Sequence, residues 1–243
     1  MQQGIYTILN HEKLARDVYR LTLLGDTGAI RAPGQFVNIL LEGKYLRRPV
    51  SICDWNDATI TLIYKVVGSG TGQMSALRIN DRLDLLVGLG NGFQTAKSGD
   101  RPLLIGGGVG APPLYGLCKR LLAEGKQPRV ILGFNTAEEV FLERELKELG
   151  VPVTVTTADG SYGTAGFVTE AIGEHPYTYF YTCGPEPMFL AIEKIAVTGG
   201  QFSFEERMGC GFGACMGCSC QTKNGSKRIC REGPVLEREE IIW

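Results

Sequence analysis

The first third of the chain holds short apolar runs broken by Gly, Pro, Asp and Asn, with no long amphipathic stretch among them. Six of these runs read as strands, at residues 4–9, 18–24, 35–40, 50–54, 58–66 and 82–86, because each is rich in β-branched or aromatic residues and bounded by turn formers. In Asp17-Val-Tyr-Arg-Leu-Thr-Leu alternate residues can face a core, the period of a half-buried strand. Many short strands at close spacing predict a small antiparallel β-barrel over residues 1–97.

At Lys97-Ser-Gly-Asp-Arg101 the pattern changes. A buried-type strand at 102–105 runs into five glycine-rich positions and then a helix at 112–124, with prolines in its first turn where amides lack intrahelical partners. A strand at 129–134 follows, then a helix at 137–149 whose Val140, Leu142, Leu146 and Leu149 fall on one face. A strand at 151–156, a helix at 167–172, a strand at 177–181 and a helix at 186–196 complete the alternation. Strands alternating with helices predict a parallel, doubly wound α/β domain over residues 98–199. Residues 200–243 carry most of the cysteines and are expected to form a small module with little core of its own. The fold class is therefore multidomain.

With 44% hydrophobic residues, the 243-residue chain can bury substantial cores, and its net charge of −1 offers no attraction to nucleic acid or an anionic membrane. Met1-Gln-Gln-Gly-Ile-Tyr lacks the basic region of a secretory signal, and the apolar stretch at 102–117 is too interrupted by glycine and proline to span a bilayer. Neither nucleic acid nor membrane is expected as a partner, and a cytoplasmic location is. Eight cysteines in such a chain point to a metal site and free thiols more than to disulfides.

Cys210, Cys215 and Cys218 follow the C-x4-C-x2-C spacing of a plant-type [2Fe–2S] site, and Cys230 can supply a fourth thiolate. Gly211, Gly213 and Gly217 are expected to turn the backbone with positive φ and bring amides near the sulfurs. Zinc is the alternative occupant, but structural zinc usually takes two C-x2-C-like knuckles and only one is present. Cys220 is the nearby rival to Cys230 as fourth ligand; Cys230 is preferred, with Cys220 as a packed thiol beside the site. Cys53, Cys118 and Cys183 stand in apolar surroundings and read as buried free thiols.

Gly106-Gly107-Gly108-Val109-Gly110-Ala111 matches G-x-G-x-x-A between a strand and a helix, where a main-chain turn can hold a pyrophosphate at the helix N-terminus. Lys126 stands where the usual acidic residue belongs, a departure from the ordinary fingerprint. Two further segments lie at C-terminal strand ends, where open α/β sheets bind ligands: Cys183-Gly184-Pro185, and a turn containing Asp159. Asp159 can accept hydrogen bonds from a ribose and repel a 2′-phosphate; a surface Asp-Gly turn is the alternative reading. In the barrel, Arg48-Pro49-Val50-Ser51 pairs an arginine suited to a pyrophosphate with a hydroxyl suited to a flavin edge. Ile63-Tyr64-Lys65 and the glycine-rich run holding Gly70 and Thr71 come next.

In this order the motifs resemble the ferredoxin–NADP⁺ reductase superfamily, and within it the family of electron-transfer subunits of NAD⁺-dependent (class B) dihydroorotate dehydrogenases. The resemblance covers essentially the whole chain, with Gly209 to Cys218 standing as the family's G-C-G-x-G-A-C-x-x-C; the loop from Cys218 to Cys230 is slightly short for it. It implies FAD on Arg48–Ser51, Ile63–Lys65 and Gly70-Thr71, and NAD on the glycine turn with Cys183 near the nicotinamide. Asp159 would favour NAD over NADP, and the four cysteines would hold the [2Fe–2S] cluster. It further implies an FMN-containing catalytic partner that oxidises dihydroorotate in pyrimidine biosynthesis, in a hetero-oligomer of two plus two subunits. Electrons would then pass through the cluster and FAD to NAD⁺. No side chain is required as acid, base or nucleophile, and His11 and His175 are expected at the surface. The rival enzyme reading is a small subunit of an NADH-dependent ferredoxin:NADP⁺ oxidoreductase or a glutamate-synthase-like complex. The rival outside enzymes is a zinc-stapled nucleotide-binding module.

Overall fold

A computed structural model describes residues 1–173 and 176–243, so the expectation for His175 falls outside the described residues. Six strands, β1 (Gln2–Ala15), β2 (Val18–Leu24), β3 (Phe36–Leu40), β4 (Arg48–Trp55), β5 (Thr59–Lys65) and β6 (Arg82–Leu89), close an antiparallel barrel in the order β1-β2-β5-β4-β3-β6. Alternation builds its interior: Leu21, Leu23, Ile60 and Leu62 are fully buried on the inner face. β1 is much longer than its apolar pattern suggests, because register shifts after Ile8 and Lys13 bend it so that it pairs first with β6 and then with β2. A short helix that the sequence pattern missed, α1 (Ser69–Met74), lies between β5 and β6 and buries Met74 completely.

Beyond the barrel, β7 (Pro102–Gly107) leads into α2 (Ala111–Ala123), then β8 (Arg129–Phe134), α3 (Glu143–Glu148), β9 (Val153–Thr157) and β10 (Thr164–Ala165). The chain continues through α4 (Val168–Ile172), β11 (Tyr179–Cys183), α5 (Glu186–Ile195) and β12 (Gly200–Ser203). A hairpin of β13 (Ser219–Thr222) and β14 (Gly225–Arg228) precedes the last strand, β15 (Val235–Glu237). The main sheet runs β10-β9-β8-β7-β11-β12-β15, all parallel except β15 on β12. Its core strands are apolar on both faces, as a sheet covered on two sides requires: Leu104 packs with α2 and α3, while Leu103 and Ile105 pack with α4 and α5.

The expected helix at 137–149 is broken. A 3₁₀ turn at Ala137–Glu139 and α3 are separated by Leu142, whose φ of 64° lets both Phe141 and Leu142 point into the core. Burying two adjacent apolar side chains outweighed helical continuity.

The C-terminal segment also departs from expectation. β12 and β15 join the main sheet, and Ile229, Leu236 and Ile241 share a buried layer with Phe36 of the barrel and with Cys218 and Cys230. This segment brings real core, and the boundary expected at residue 200 falls between adjacent strands of one sheet. Barrel and sheet also meet closely at α2, where a Cβ on Gly116 would lie 2.7 Å from the Cys53 carbonyl oxygen.

Candidate functional site

Two cavities meet where barrel and sheet face each other. The barrel-side cavity, of about 280 Å³, is walled by Phe36, Val50 and Ile63, with Ser51, Tyr64 and Thr71 as polar lining. The sheet-side cavity, of about 520 Å³, lies over the C-terminal ends of β7, β8 and β11. They share Lys65, Val109 and Glu205.

The barrel residues singled out from the sequence gather at the first cavity. Pro49, Val50, Ser51, Ile63, Tyr64, Lys65 and Thr71 line it. Arg48 lies beside them, packed so closely on α1 that a Cβ on Gly70 would come within 2.2 Å of its Nε. The Thr71 hydroxyl accepts hydrogen bonds from the amides of Val67 (2.9 Å) and Gly68 (3.2 Å), which shapes the turn entering α1. A largely apolar slot with a hydroxyl edge and a nearby guanidinium fits a flavin nucleotide.

Tyr64 is held from behind by His11, which is half-buried and not the free surface residue expected. His11 Nδ1 must donate to the Leu77 carbonyl at 2.9 Å, so Nε2 accepts from the Tyr64 hydroxyl at 2.9 Å.

At the second cavity β7 extends through Gly107, a 3₁₀ turn occupies Gly108–Gly110, and α2 begins at Ala111. Gly107, Gly108, Gly110, Gly184 and Pro185 line the cavity, whereas Gly106 packs against Ala111 and Leu114 beneath it. Gly110 sits against the end of β11, where a Cβ would lie 2.1 Å from the Cys183 carbonyl oxygen. The Thr156 hydroxyl on this cavity wall is buried and unpartnered. Open backbone at a helix N-terminus beside an unsatisfied hydroxyl fits a dinucleotide.

Cys183 lines the barrel-side cavity; burial, with Glu205 nearby, pushes its thiol up to about 12, which suits a neutral packing group and not a nucleophile. Asp159 is at the same edge of the sheet but does not line the cavity. Its Oδ1 accepts from the Ser161 hydroxyl at 2.6 Å and amide at 3.0 Å, in the turn its sequence also allowed.

Two acidic residues at the junction escaped the sequence reading. Glu205 lines both cavities and burial raises its carboxyl above the usual range. Glu139 lines the sheet-side cavity and binds Lys65 at 3.0 Å and Arg16 at 3.1 Å across the barrel–sheet boundary. Its other oxygen accepts from the Asn135 side chain at 3.0 Å. Burial alone would raise its carboxyl, but Lys65, Arg16 and the Asn135 amide outweigh that and hold it at about 2. A carboxylate held below its ordinary value of 4.5 contributes stability that is complete above that pH and is lost as pH falls toward 2. Glu139→Gln is expected to cost about 1–2 kcal/mol at neutral pH, discounted for its partly exposed partners. Melting curves from pH 7 to pH 2 should show a shallower acid slope for the variant; parallel curves would count against this.

The four candidate ligands divide into two pairs. Cys210 and Cys215 lie on the loop after β12: the Cys215 amide approaches Cys210 Sγ at 3.4 Å, and the Cys210 amide approaches Cys215 Sγ at 3.4 Å. Cys218 and Cys230 are each 2% exposed, and the Cys230 amide donates to Cys218 Sγ at 3.4 Å. Burial raises the Cys210 thiol, but amides of Phe212, Cys215 and Ala214 outweigh it and bring it down to about 6. Burial and the neighbouring Cys218 push Cys230 up to about 12, so a metal must displace that proton. Among the described residues no three His, Cys, Asp or Glu side chains converge on a single ion. Two thiol pairs with amides aimed at sulfur suit a two-iron cluster better than one tetrahedral zinc.

Gly211 and Gly213 take the expected positive φ, at 77° and 93°, but Gly217 does not. Met216 adopts φ 61° in its place, a strained turn that delivers the Gly217 amide to Cys215 Sγ at 3.4 Å. Cys220 lines a third cavity, bordered also by Glu205 and Thr222, and packs against the layer that holds Cys218 and Cys230. Cys53, Cys118 and Cys183 are buried and unbridged, as expected.

Comparison with known proteins gives two matching family models. Residues 205–242 match the iron–sulfur cluster binding domain of dihydroorotate dehydrogenase B, and residues 104–194 match the oxidoreductase NAD-binding domain. The chain is 42% identical over its whole length to the dihydroorotate dehydrogenase B (NAD(+)) electron transfer subunit of Geobacillus sp. (strain WCH70), covering 99% of that protein. It is 41% identical to the protein of the same name from Shouchella clausii (strain KSM-K16), over 99% of this chain and 98% of that one. Among solved structures, one of an NADH-dependent reduced ferredoxin-NADP oxidoreductase superposes with a TM-score of 0.88 at 29% identity, covering 99% of this chain and 90% of the other. A ferredoxin reductase of carbazole 1,9a-dioxygenase shares the fold, with a TM-score of 0.71 at 21% identity over 79% of this chain and 64% of the other.

Proposed function

The chain belongs to the family of dihydroorotate dehydrogenase B (NAD(+)) electron transfer subunits, and from that premise we propose that it conducts electrons between a dihydroorotate-oxidising catalytic subunit and NAD(H). The supporting observation is that an apolar slot and a dinucleotide cleft adjoin where barrel and sheet meet, and that Cys218 and Cys230 share a buried layer with Phe36 of the slot wall. When bound, nicotinamide exchanges a hydride, the cluster exchanges one electron, and flavin can do both.

The chain's own residues bind, orient and insulate. Arg48 and Thr71 would hold the flavin nucleotide's phosphates, Ser51 and Lys65 the ring edge, and Tyr64, fixed by His11, one wall. Gly107, Gly108 and Gly110 expose main chain to the NAD pyrophosphate at the start of α2, and Gly184 and Pro185 border the nicotinamide end. Cys183 contributes a neutral wall between the two ligands and needs no ionisation. Cys210, Cys215, Cys218 and Cys230 would hold the [2Fe–2S] cluster. The exposed Cys215, flanked by Phe212 (41% exposed) and Met216 (55% exposed), offers an apolar face for a partner.

In this reading the partner carries FMN, the assembly is two plus two, and the complex serves pyrimidine biosynthesis in the cytoplasm. Among the described residues no helix is long and apolar enough to cross a membrane. A second reading follows from the 0.88 superposition: the small subunit of an NADH-dependent ferredoxin-NADP oxidoreductase. Isolation of the native complex separates them by whether the partner oxidises dihydroorotate.

Anaerobically reconstituted protein should contain FAD, iron and acid-labile sulfide, and lose its flavin absorbance on adding NADH. NADH should reduce it faster than NADPH, since Asp159, exposed at the same sheet edge, would repel a 2′-phosphate reaching past the cavity. Asp159→Ser should narrow that difference. Equal rates with both nucleotides in the unaltered protein would remove Asp159 from the site, and absence of sulfide would overturn the cluster.

A further inference from the structure

Asn38 stands on the outward face of β3 and is 1% exposed. Its Nδ2 donates to the Cys210 carbonyl at 3.1 Å, joining the barrel to the cluster loop across 172 residues of sequence. Its Oδ1 is buried and has no partner. A carbonyl can only accept, so Cys210 dictates which end of the amide faces it and which end is stranded. Leucine would fill the same volume without a stranded acceptor, which is costly when buried, but it would leave the Cys210 carbonyl without this donor. Packing alone therefore does not account for an asparagine here.

The surroundings make this contact rigid. Arg47 donates to the Asn38 carbonyl at 3.3 Å and to Asp84 Oδ1 at 2.8 Å, which pins β3 against β6. The next residue of the loop, Gly211, has φ 77° and approaches so closely that a Cβ would lie 2.2 Å from Asn38 Nδ2. From that turn the chain returns the Ala214 and Cys215 amides to Cys210 Sγ, at 3.2 and 3.4 Å. Phe36, two residues before Asn38 on the same outward face, walls the barrel-side cavity. One strand thus carries both the edge of the flavin slot and the tether of the cysteine turn.

We propose that Asn38 is a positioning residue for the iron–sulfur cluster: it fixes the Cys210 turn to the barrel, and through that turn sets the cluster's retention and electronic environment. The inference rests on the reading of the four cysteines as cluster ligands. An outer partner of a metal ligand acts by orienting it, and its loss typically weakens metal retention about 10- to 100-fold.

The test uses full-length, reconstituted protein with two substitutions, Asn38→Leu and Asn38→Met, which keep roughly the volume, add no charge and cannot donate. Both are expected to retain FAD at the wild-type ratio and to melt as wild type in the FAD-bound, metal-free form. Both should release iron to a chelator about tenfold faster and shift the electron paramagnetic resonance spectrum of the dithionite-reduced cluster. Wild-type iron release and spectra in the leucine variant would overturn the proposal. So would loss of FAD or folding in parallel with iron, which would make Asn38 a general fold residue. If the unsubstituted protein itself assembles no iron and sulfide, the ligand reading has failed instead.

Discussion

Replacing Cys215 with Ser is expected to abolish the iron–sulfur cluster and cut electron transfer to the catalytic partner by at least about 100-fold, more than an outer-sphere change usually costs. Serine offers a poorly acidic hydroxyl where the site needs a soft thiolate, and it leaves Cys210 alone at its end of the paired site. The structural cost should be small. Cys215 is exposed, whereas the buried pair, Cys218 and Cys230, belongs to a layer also filled by Ile229, Leu236 and Ile241. NADH oxidation with an artificial acceptor that takes electrons from flavin should therefore continue near the wild-type rate. Undiminished turnover with the partner would remove the cluster from the route, and loss of both activities would mean that Cys215 matters to the fold.

Gly110→Ala carries the largest effect expected at the dinucleotide cleft. The new Cβ would lie 2.1 Å from the Cys183 oxygen, 2.4 Å from its carbonyl carbon and 2.7 Å from the Gly184 nitrogen. All three are main-chain atoms, so no flexible side-chain tip can yield. Gly110 has φ −77°, an ordinary value, so the penalty is steric and not conformational. Relief requires pushing the start of α2 away from the end of β11, at a cost of about 1–3 kcal/mol or more for overpacking. Because the displaced segments border the cavity proposed for NAD, flavin reduction by NADH should slow by about 100-fold, the scale an ångström-sized misplacement can cost. Gly108→Ala is the matched comparison. It meets nothing within 4 Å but must hold φ 52°, so it should cost only about 1–2 kcal/mol of backbone strain. Stopped-flow flavin reduction and thermal melting measure both, and a milder result for Gly110→Ala than for Gly108→Ala would contradict the close approach drawn here.

The elements readable in advance were those whose pattern is local. Strand Val18–Leu24 and strand Arg129–Phe134 fall where apolar periodicity puts them, and α2 begins within a residue of its proline pair. The broken helix near residue 140 was not readable, because two adjacent side chains, Phe141 and Leu142, find space in a core assembled from distant strands. α1 was hidden by its own glycines, and it persists because Met74 fills the barrel end. At the cluster loop, three glycines invited one expectation, and the strained residue at its third turn proved to be Met216, a position that sulfur-directed amides select and residue type does not.

What the amino-acid order alone determined is the inventory of chemistry and its sequence along the chain: a barrel, a doubly wound sheet, a glycine turn after a buried strand, and thiols at C-x4-C-x2-C spacing. Those depend on neighbours within a few positions, so periodicity and spacing carry them. Only the tertiary structure decided which groups converge. Asn38 reaches Cys210, His11 backs Tyr64, Glu139 bridges to Lys65 and Arg16, and Glu205 stands between two cavities. Each of these contacts closes a long loop of chain whose ends have no local reason to meet, and burial of the shared apolar layers brings them together.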